Sequence, residues 1–300
     1  MEYENPQIDE TINLPTEHPL EDFAILLTGV AAFALATFYM LILLADYATR
    51  FIPFSYEQTL MDQLEQFSAF EQVMGQPGDE EIEQYLQALA DELAIAQQLP
   101  GDMPITVHYI ETPELNAYAT LGGHIYLFSG LLASCDDENT LAMILSHEIA
   151  HVHHRHPIVA LGRVFTIAVA TLSVVGASTS DISYKVLNYF GLATQLSFSR
   201  QHELEADHTA LETLQRHYGH VGGADRLFEL IGNSENNPLN TLLSTHPLTQ
   251  QRRQNVVEFI GSHPDHSTPE IKLPKWIQQK RRAEDHWYPT RILMRYLALA

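Results

Sequence analysis

The sequence predicts an α+β fold that is mainly helical, with one small β-sheet, preceded by a single transmembrane helix. Three observations carry this. Residues Phe23 to Leu44 run for 22 residues without a charge, β-branched and aromatic residues concentrate between 105 and 128, and apolar residues recur at helical spacing on both sides of that stretch.

In order along the chain, residues 1–22 are polar and acidic, hold Pro6, Pro15 and Pro19, and read as a disordered leader. Residues 23–44 as a helix span about 33 Å, which matches a bilayer core. The leader has seven acids and no base, whereas a cleaved signal wants a basic leader and a shorter apolar run, so the span reads as an uncleaved anchor. The base nearest the span is Arg50, which by the positive-inside rule puts the rest of the chain on the cytoplasmic side of what reads as a bacterial inner membrane.

Amphipathic helices are expected near 56–75 and 79–99, the second opened by Gly78-Asp79 as a helix start. Ile105 to Ile110 alternates as a strand, and Asn116 to Phe128, with Gly122-Gly123 between AYAT and HIYLF, reads as a hairpin or kinked strand pair. Asp136-Asp137-Glu138 supply cap and first-turn acids for a helix running through LAMILSHEIAHVHHRH to about Pro157. Residues 158–178 are apolar but interrupted by Arg163; they read as a helix buried in the domain or lying against the bilayer surface. Further helices are expected near 184–218, 222–232 and 248–261. Lys272, Lys275, Trp276, Lys280, Arg281 and Arg282 form a basic and aromatic cluster suited to anionic lipid or to plain solvent. The domain boundaries that follow are a leader at 1–22, the anchor at 23–44, a catalytic domain at 55–262 and an extension at 263–300.

The formal net charge is −22, from 38 acids and 16 bases. Residues 1–154 hold 25 acids and one base, against 13 acids and 15 bases in 155–300. A chain this acidic is not built to grip phosphate backbones, which excludes nucleic acid as a partner. Cys135 is the one cysteine, so no internal disulfide forms, and it reads as a buried apolar residue.

His147-Glu148-Ile149-Ala150-His151 is an H-E-x-x-H pattern within an apolar helix. Residues four apart share a face, so both imidazoles can meet one ion while the glutamate reaches that ion's water. A hydrolytic zinc takes a third protein ligand and leaves one position open. Glu203 and Asp207 are four apart on a later helix, so one carboxylate can bind metal while the other accepts the outer N–H of a ligating histidine.

The runs HEIAHVHHRH, SRQHELEAD, NAYATLGGHIYLFSGLL and STHPLTQQR together resemble, in order and spacing, the HtpX-like and type I CAAX prenyl protease family of membrane zinc peptidases, over residues 55–260. The resemblance implies a gluzincin of zincin-like fold, with one zinc per chain on His147, His151 and Glu203, Glu148 as general base, and Asp207 behind the ligands. One clear span instead of several makes the chain look like a single-anchor member.

The resemblance also matches His246-Pro247 with Arg252 to a family element. His246 is a candidate for stabilising the oxyanion, for occupying the open zinc position, or for capping the helix after Pro247. Protein or peptide substrate is expected to add itself as a strand beside the edge strand Ile125 to Phe128, which makes Asn116, Ile125, Tyr126 and Leu127 substrate-binding candidates. His153, His154 and His156 follow the metal helix and are readable either as further metal ligands or as solvated residues at a helix end. The expected function is a zinc-dependent endopeptidase acting on misfolded or membrane-associated proteins; the rival is a silent membrane-tethered binder of the same fold.

Overall fold

A computed structural model describes residues 19–49, 51–66, 76–175, 198–233, 242–263 and 270–280. The chain divides into two units, residues 1–44 and 45–300. The first carries most of α1 (Pro19–Thr49), a helix long and apolar enough to cross a membrane. Leu26, Phe33, Leu35 and Leu43 on it are exposed, so its apolar surface is not spent on a protein core.

The second unit is α2 (Phe54–Glu65), α3 (Glu80–Ala96), β1 (Thr106–Ile110), β2 (Ala117–Ala119), β3 (His124–Phe128), α4 (Ser129–Ser134), α5 (Glu138–His153), α6 (His156–Val175), α7 (Arg200–Tyr218), α8 (Ala224–Asn233), α9 (Leu242–Thr245) and α10 (Gln250–Ser262). It is a mainly helical α+β domain. Asp79 caps α3 by accepting from the Glu81 and Ile82 N–H groups, and Asp137 caps α5 by accepting from Thr140. Each cap satisfies donors that the first helical turn leaves free. The sheet order is β1-β3-β2, with β1 parallel and β2 antiparallel to β3.

One face of the sheet packs Val107, Tyr109, Ile125 and Leu127 into a core with Leu86 and Leu93 of α3 and Leu141, Leu145 and Ile149 of α5. This layer fixes α5 against the sheet, and α7 packs across α5. The turn joining β2 to β3 depends on glycine. Gly123 has φ +85, and a Cβ there would lie 1.9 Å from the Pro104 carbonyl oxygen. Gly123→Ala should therefore destabilise the domain by more than about 2 kcal/mol, since backbone strain and a backbone clash add; a urea midpoint within error of wild type would refute this.

Several expectations change. β3 is the central strand: Ile125, Tyr126 and Leu127 pair with Val107, His108 and Tyr109 on one side and with Ala119, Tyr118 and Ala117 on the other. It is not an edge, so its backbone cannot receive a substrate strand, and Ile125 and Leu127 bury their side chains in the core. The outer edge of β1 is occupied too, because Glu83 and Gln87 of α3 accept from the N–H groups of Tyr109 and Val107. The edge facing α5 belongs to β2.

The helix through the H-E-x-x-H pattern stops at His153 instead of running to Pro157; Arg155 has φ +60, and a new helix begins at His156. The segment 270–280 is joined to the domain, not appended to it: Leu273 and Ile277 are buried in the main core, Lys280 pairs with Asp79 and Glu81, and Trp276 meets Tyr85 edge-on. Arg281 and Arg282 lie outside the described residues, as do the expected helical stretches 67–75 and 184–197.

Candidate metal centre

α5 delivers His147 and His151 from one face, four residues apart, into the crossing with α7, where Glu203 sits in the first turn behind the Ser199 cap. His147 Nε2 and His151 Nε2 are 3.1 Å apart. Glu203 Oε2 is 3.5 Å from His147 Nε2, and Glu203 Oε1 is 3.5 Å from His151 Nε2. The segment after α9 adds His246, whose Nδ1 is 3.3 Å from His147 Nε2 and 3.2 Å from Glu203 Oε1. All four residues are buried, and their inward atoms lie within 4.8 Å of one another.

The surroundings orient the set. Asp207, one turn beyond Glu203, has Oδ1 3.0 Å from His147 Nδ1. Arg252 of α10 is 1% exposed; its Nε and Nη2 donate to both Asp207 oxygens at 2.6 and 2.8 Å, its Nη1 lies 2.6 Å from Glu203 Oε2, and it also donates to the Pro247 carbonyl. One guanidinium thus holds Glu203 and Asp207 of α7 and the loop bearing His246.

Burial would raise the carboxyl pKa values, but His246 and His147 hold Glu203 well below its usual range, and Arg252 holds Asp207 down likewise. Burial also opposes charge on the imidazoles. Hydrogen bonds to Asp207 and Glu203 nevertheless carry His147 up to about 10, while His151, with His147 as a positively charged neighbour, is pushed well down. Two buried carboxylates call for positive charge at this spot beyond Arg252. Three imidazole nitrogens and a carboxylate oxygen aimed at one point form a donor set of the kind that holds a divalent transition metal, so the residues fit such an ion.

Glu148 stands beside this set and not in it. Its Oε2 accepts from the Ala119 N–H at 2.8 Å, and its Oε1 is 3.4 Å from His246 Nε2. Phe128 N donates to Asn116 O and Thr120 N to His124 O, so in the antiparallel alternation Ala117 and Ala119 turn their backbone groups away from β3 and toward α5.

The sequence matches peptidase family M48 over residues 80–260. The chain belongs to that family. Its M48 relatives include mitochondrial metalloendopeptidase OMA1 of Schizosaccharomyces pombe, 28% identical over 73% of this chain and 67% of the relative. The beta-barrel assembly-enhancing protease of Escherichia coli K12 is 30% identical over 57% of this chain and 37% of the relative. Metalloprotease YcaL of the same bacterium is 25% identical over 53% of this chain and 63% of the relative. The chain therefore matches about two thirds or less of each of these relatives' lengths. Membership of M48 makes the protein a metallopeptidase, as the HtpX-like resemblance implies.

Within this M48 domain the structure brings together His147, Glu148, His151, Glu203, Asp207, His246 and Arg252. Of the substrate candidates, Asn116 is spent as a tie, its Oδ1 accepting from the Thr245 hydroxyl next to His246. Tyr126 stacks between His108 and Tyr118 on the far side of the sheet. Sequence reasoning missed the backbone of Ala119, which Glu148 holds; the signal was NAYAT itself, whose two small alanines let α5 approach the strand closely.

Among the described residues one other group of possible ligands occurs, Glu65, His108 and His124. His108 Nε2 and His124 Nδ1 are 2.8 Å apart with rings within 7° of parallel and centroids 5.1 Å apart. That is two rings edge to edge across an N–H···N hydrogen bond, not two lone pairs converging on an ion.

Proposed function

We propose that the protein is a membrane-anchored zinc-dependent endopeptidase, with α1 as its single span, that cleaves extended segments of misfolded or membrane-associated proteins. The observation that carries this is the placing of Glu148 between the four-residue donor set and the edge strand β2, whose Ala119 N–H it accepts from. His147, His151 and Glu203 would hold the zinc, with His246 at the position that substrate or water takes in turn. Bound zinc supplies Lewis acidity, which polarises the scissile carbonyl and makes water acidic enough to attack near neutral pH.

The chain's own residues do the remainder. An extended peptide would join the edge of β2 by displacing what covers the buried Ala117 and Ala119, including the Glu148 contact to the Ala119 N–H, which selects unfolded chain over folded protein. Glu148 takes a proton from the attacking water and returns it to the leaving amine. Asp207 and Arg252 keep His147 and Glu203 aimed inward. Domain limits of 55–262 for the catalytic part, with the segment 270–280 docked upon it, and a cytoplasmic location resting on Arg50, belong to this same reading. The names of the relatives support protein substrates.

The test is removal of the metal. A chelator such as 1,10-phenanthroline should abolish casein cleavage and lower the melting temperature, because Glu203 and the imidazoles lose the charge that compensates them. Adding one equivalent of zinc should restore both. Cleavage that persists in metal-free protein overturns the reading, and stoichiometric zinc without cleavage of any unfolded substrate favours the silent binder.

A further inference from the structure

We propose that His156 is a positioning residue for His151, holding it in the tautomer that aims Nε2 at the metal. The inference rests on the reading of His151 as a metal ligand.

A histidine that gives its Nε2 lone pair to an ion carries its proton on Nδ1, and in a buried site that N–H needs an acceptor. For His147 the group facing Nδ1 is Asp207, whose Oδ1 lies 3.0 Å away. For His151 no carboxylate is in that position: its Nδ1 lies 2.9 Å from His156 Nδ1. His156 must then accept at Nδ1 and carry its own proton on Nε2, and that nitrogen lies 3.3 Å from Glu205 Oε2. Glu205 therefore selects the tautomer of His156, and His156 selects that of His151. The opposite tautomer of His156 would set two N–H groups against each other, or turn a protonated Nε2 of His151 toward the metal set. His156 is buried, and its ring stacks on His202 at 4.0 Å and 9°.

The backbone is bent to achieve this. Had α5 continued, residue 156 would lie about 140° around the helix from His151, pointing away from it. The left-handed turn at Arg155, φ +60, brings His156 back beneath His151. That conformation is unfavourable for a residue with a side chain, and it is pinned from α2 and the turn before it: Arg155 Nε donates to the buried Glu57 at 2.7 Å and Nη2 to the Ile52 carbonyl at 2.8 Å. A non-glycine residue held in a strained conformation next to a metal-binding helix, and clamped there by a buried ion pair, is a supporting structure for a site and not an ordinary helix end.

The experiment compares zinc affinity, by competition with a chromophoric chelator, and the visible spectrum of the cobalt-substituted protein. The proteins are wild type, His156→Phe, His156→Asn and Glu205→Ala, with the melting temperature of each metal-free protein as the folding control. His156→Phe fills the space without an acceptor and should weaken zinc binding about 10–100-fold and shift the cobalt bands, with the metal-free melting temperature preserved. His156→Asn keeps an acceptor near the Nδ1 position and should recover most of the affinity. Glu205 is partly exposed, so Glu205→Ala folds in any case, and it should show a smaller loss of the same kind. Wild-type affinity in the Phe variant, or in the Ala variant should the Phe variant not fold, overturns the proposal. So does a loss that Asn does not rescue. A wild-type protein that binds no zinc is a different result: it removes the metal reading and this inference with it.

Discussion

Glu148→Gln is expected to lower kcat on an unfolded protein by about 10²–10⁴-fold, the usual contribution of a general base, while the protein keeps one zinc. The substitution is nearly isosteric, and the amide oxygen can still accept from Ala119 N–H as Oε2 does now at 2.8 Å. What disappears is the ability to take a proton. Because Glu148 is outside the four-residue donor group, metal content should not change. Activity within a few-fold of wild type would remove Glu148 from the chemistry. Loss of zinc together with activity would make it a ligand instead, and the site would have to be redrawn around it.

The second large effect concerns stability. Arg252 is ion-paired with two buried carboxylates from one helix, and burial makes each of them costlier without it. Arg252→Met keeps much of the volume and removes the charge. Breaking a buried pair by deleting one partner costs about 3–5 kcal/mol, and at about 2–4 °C per kcal/mol for a domain of this size the metal-free melting temperature should fall by roughly 6–20 °C. Arg252→Lys should rescue little, because a single ammonium cannot reproduce the fork to Asp207 and the third nitrogen on Glu203. A fall below about 2 °C would mean that the carboxylates find another counter-charge.

Much of the helical framework was legible locally. Asp79 and Asp137 cap where their positions suggested, because a cap is a contact between residues two or three apart. The two strands around Gly122-Gly123 pair antiparallel as expected, since a short turn leaves them little choice. The end of α5 was not legible: nothing in VHHRHP marks Arg155 for a left-handed conformation, and its cause, Glu57 and Ile52, lies about a hundred residues earlier. Strand order was equally hidden. No short turn joins β1 to β3; their parallel pairing, with α3 covering the outer side of β1, makes β3 central and puts β2 at the edge that faces α5.

By itself the sequence determined the chemistry available. H-E-x-x-H at helical spacing, with Glu203 and Asp207 four apart on a later helix, offers metal donors and a carboxylate to orient them, because residue identity and i,i+4 spacing are properties of the chain, and the family resemblance added His246 and Arg252. Only the tertiary structure decided how that set is completed and supported. It put His246 Nδ1 among the donor atoms, Arg252 on both carboxylates, His156 behind His151, and the edge of β2 against Glu148. The physical reason is range. Helix periodicity and caps are settled within a few residues, whereas a buried charge or a strand edge is defined by whatever the rest of the fold brings to it.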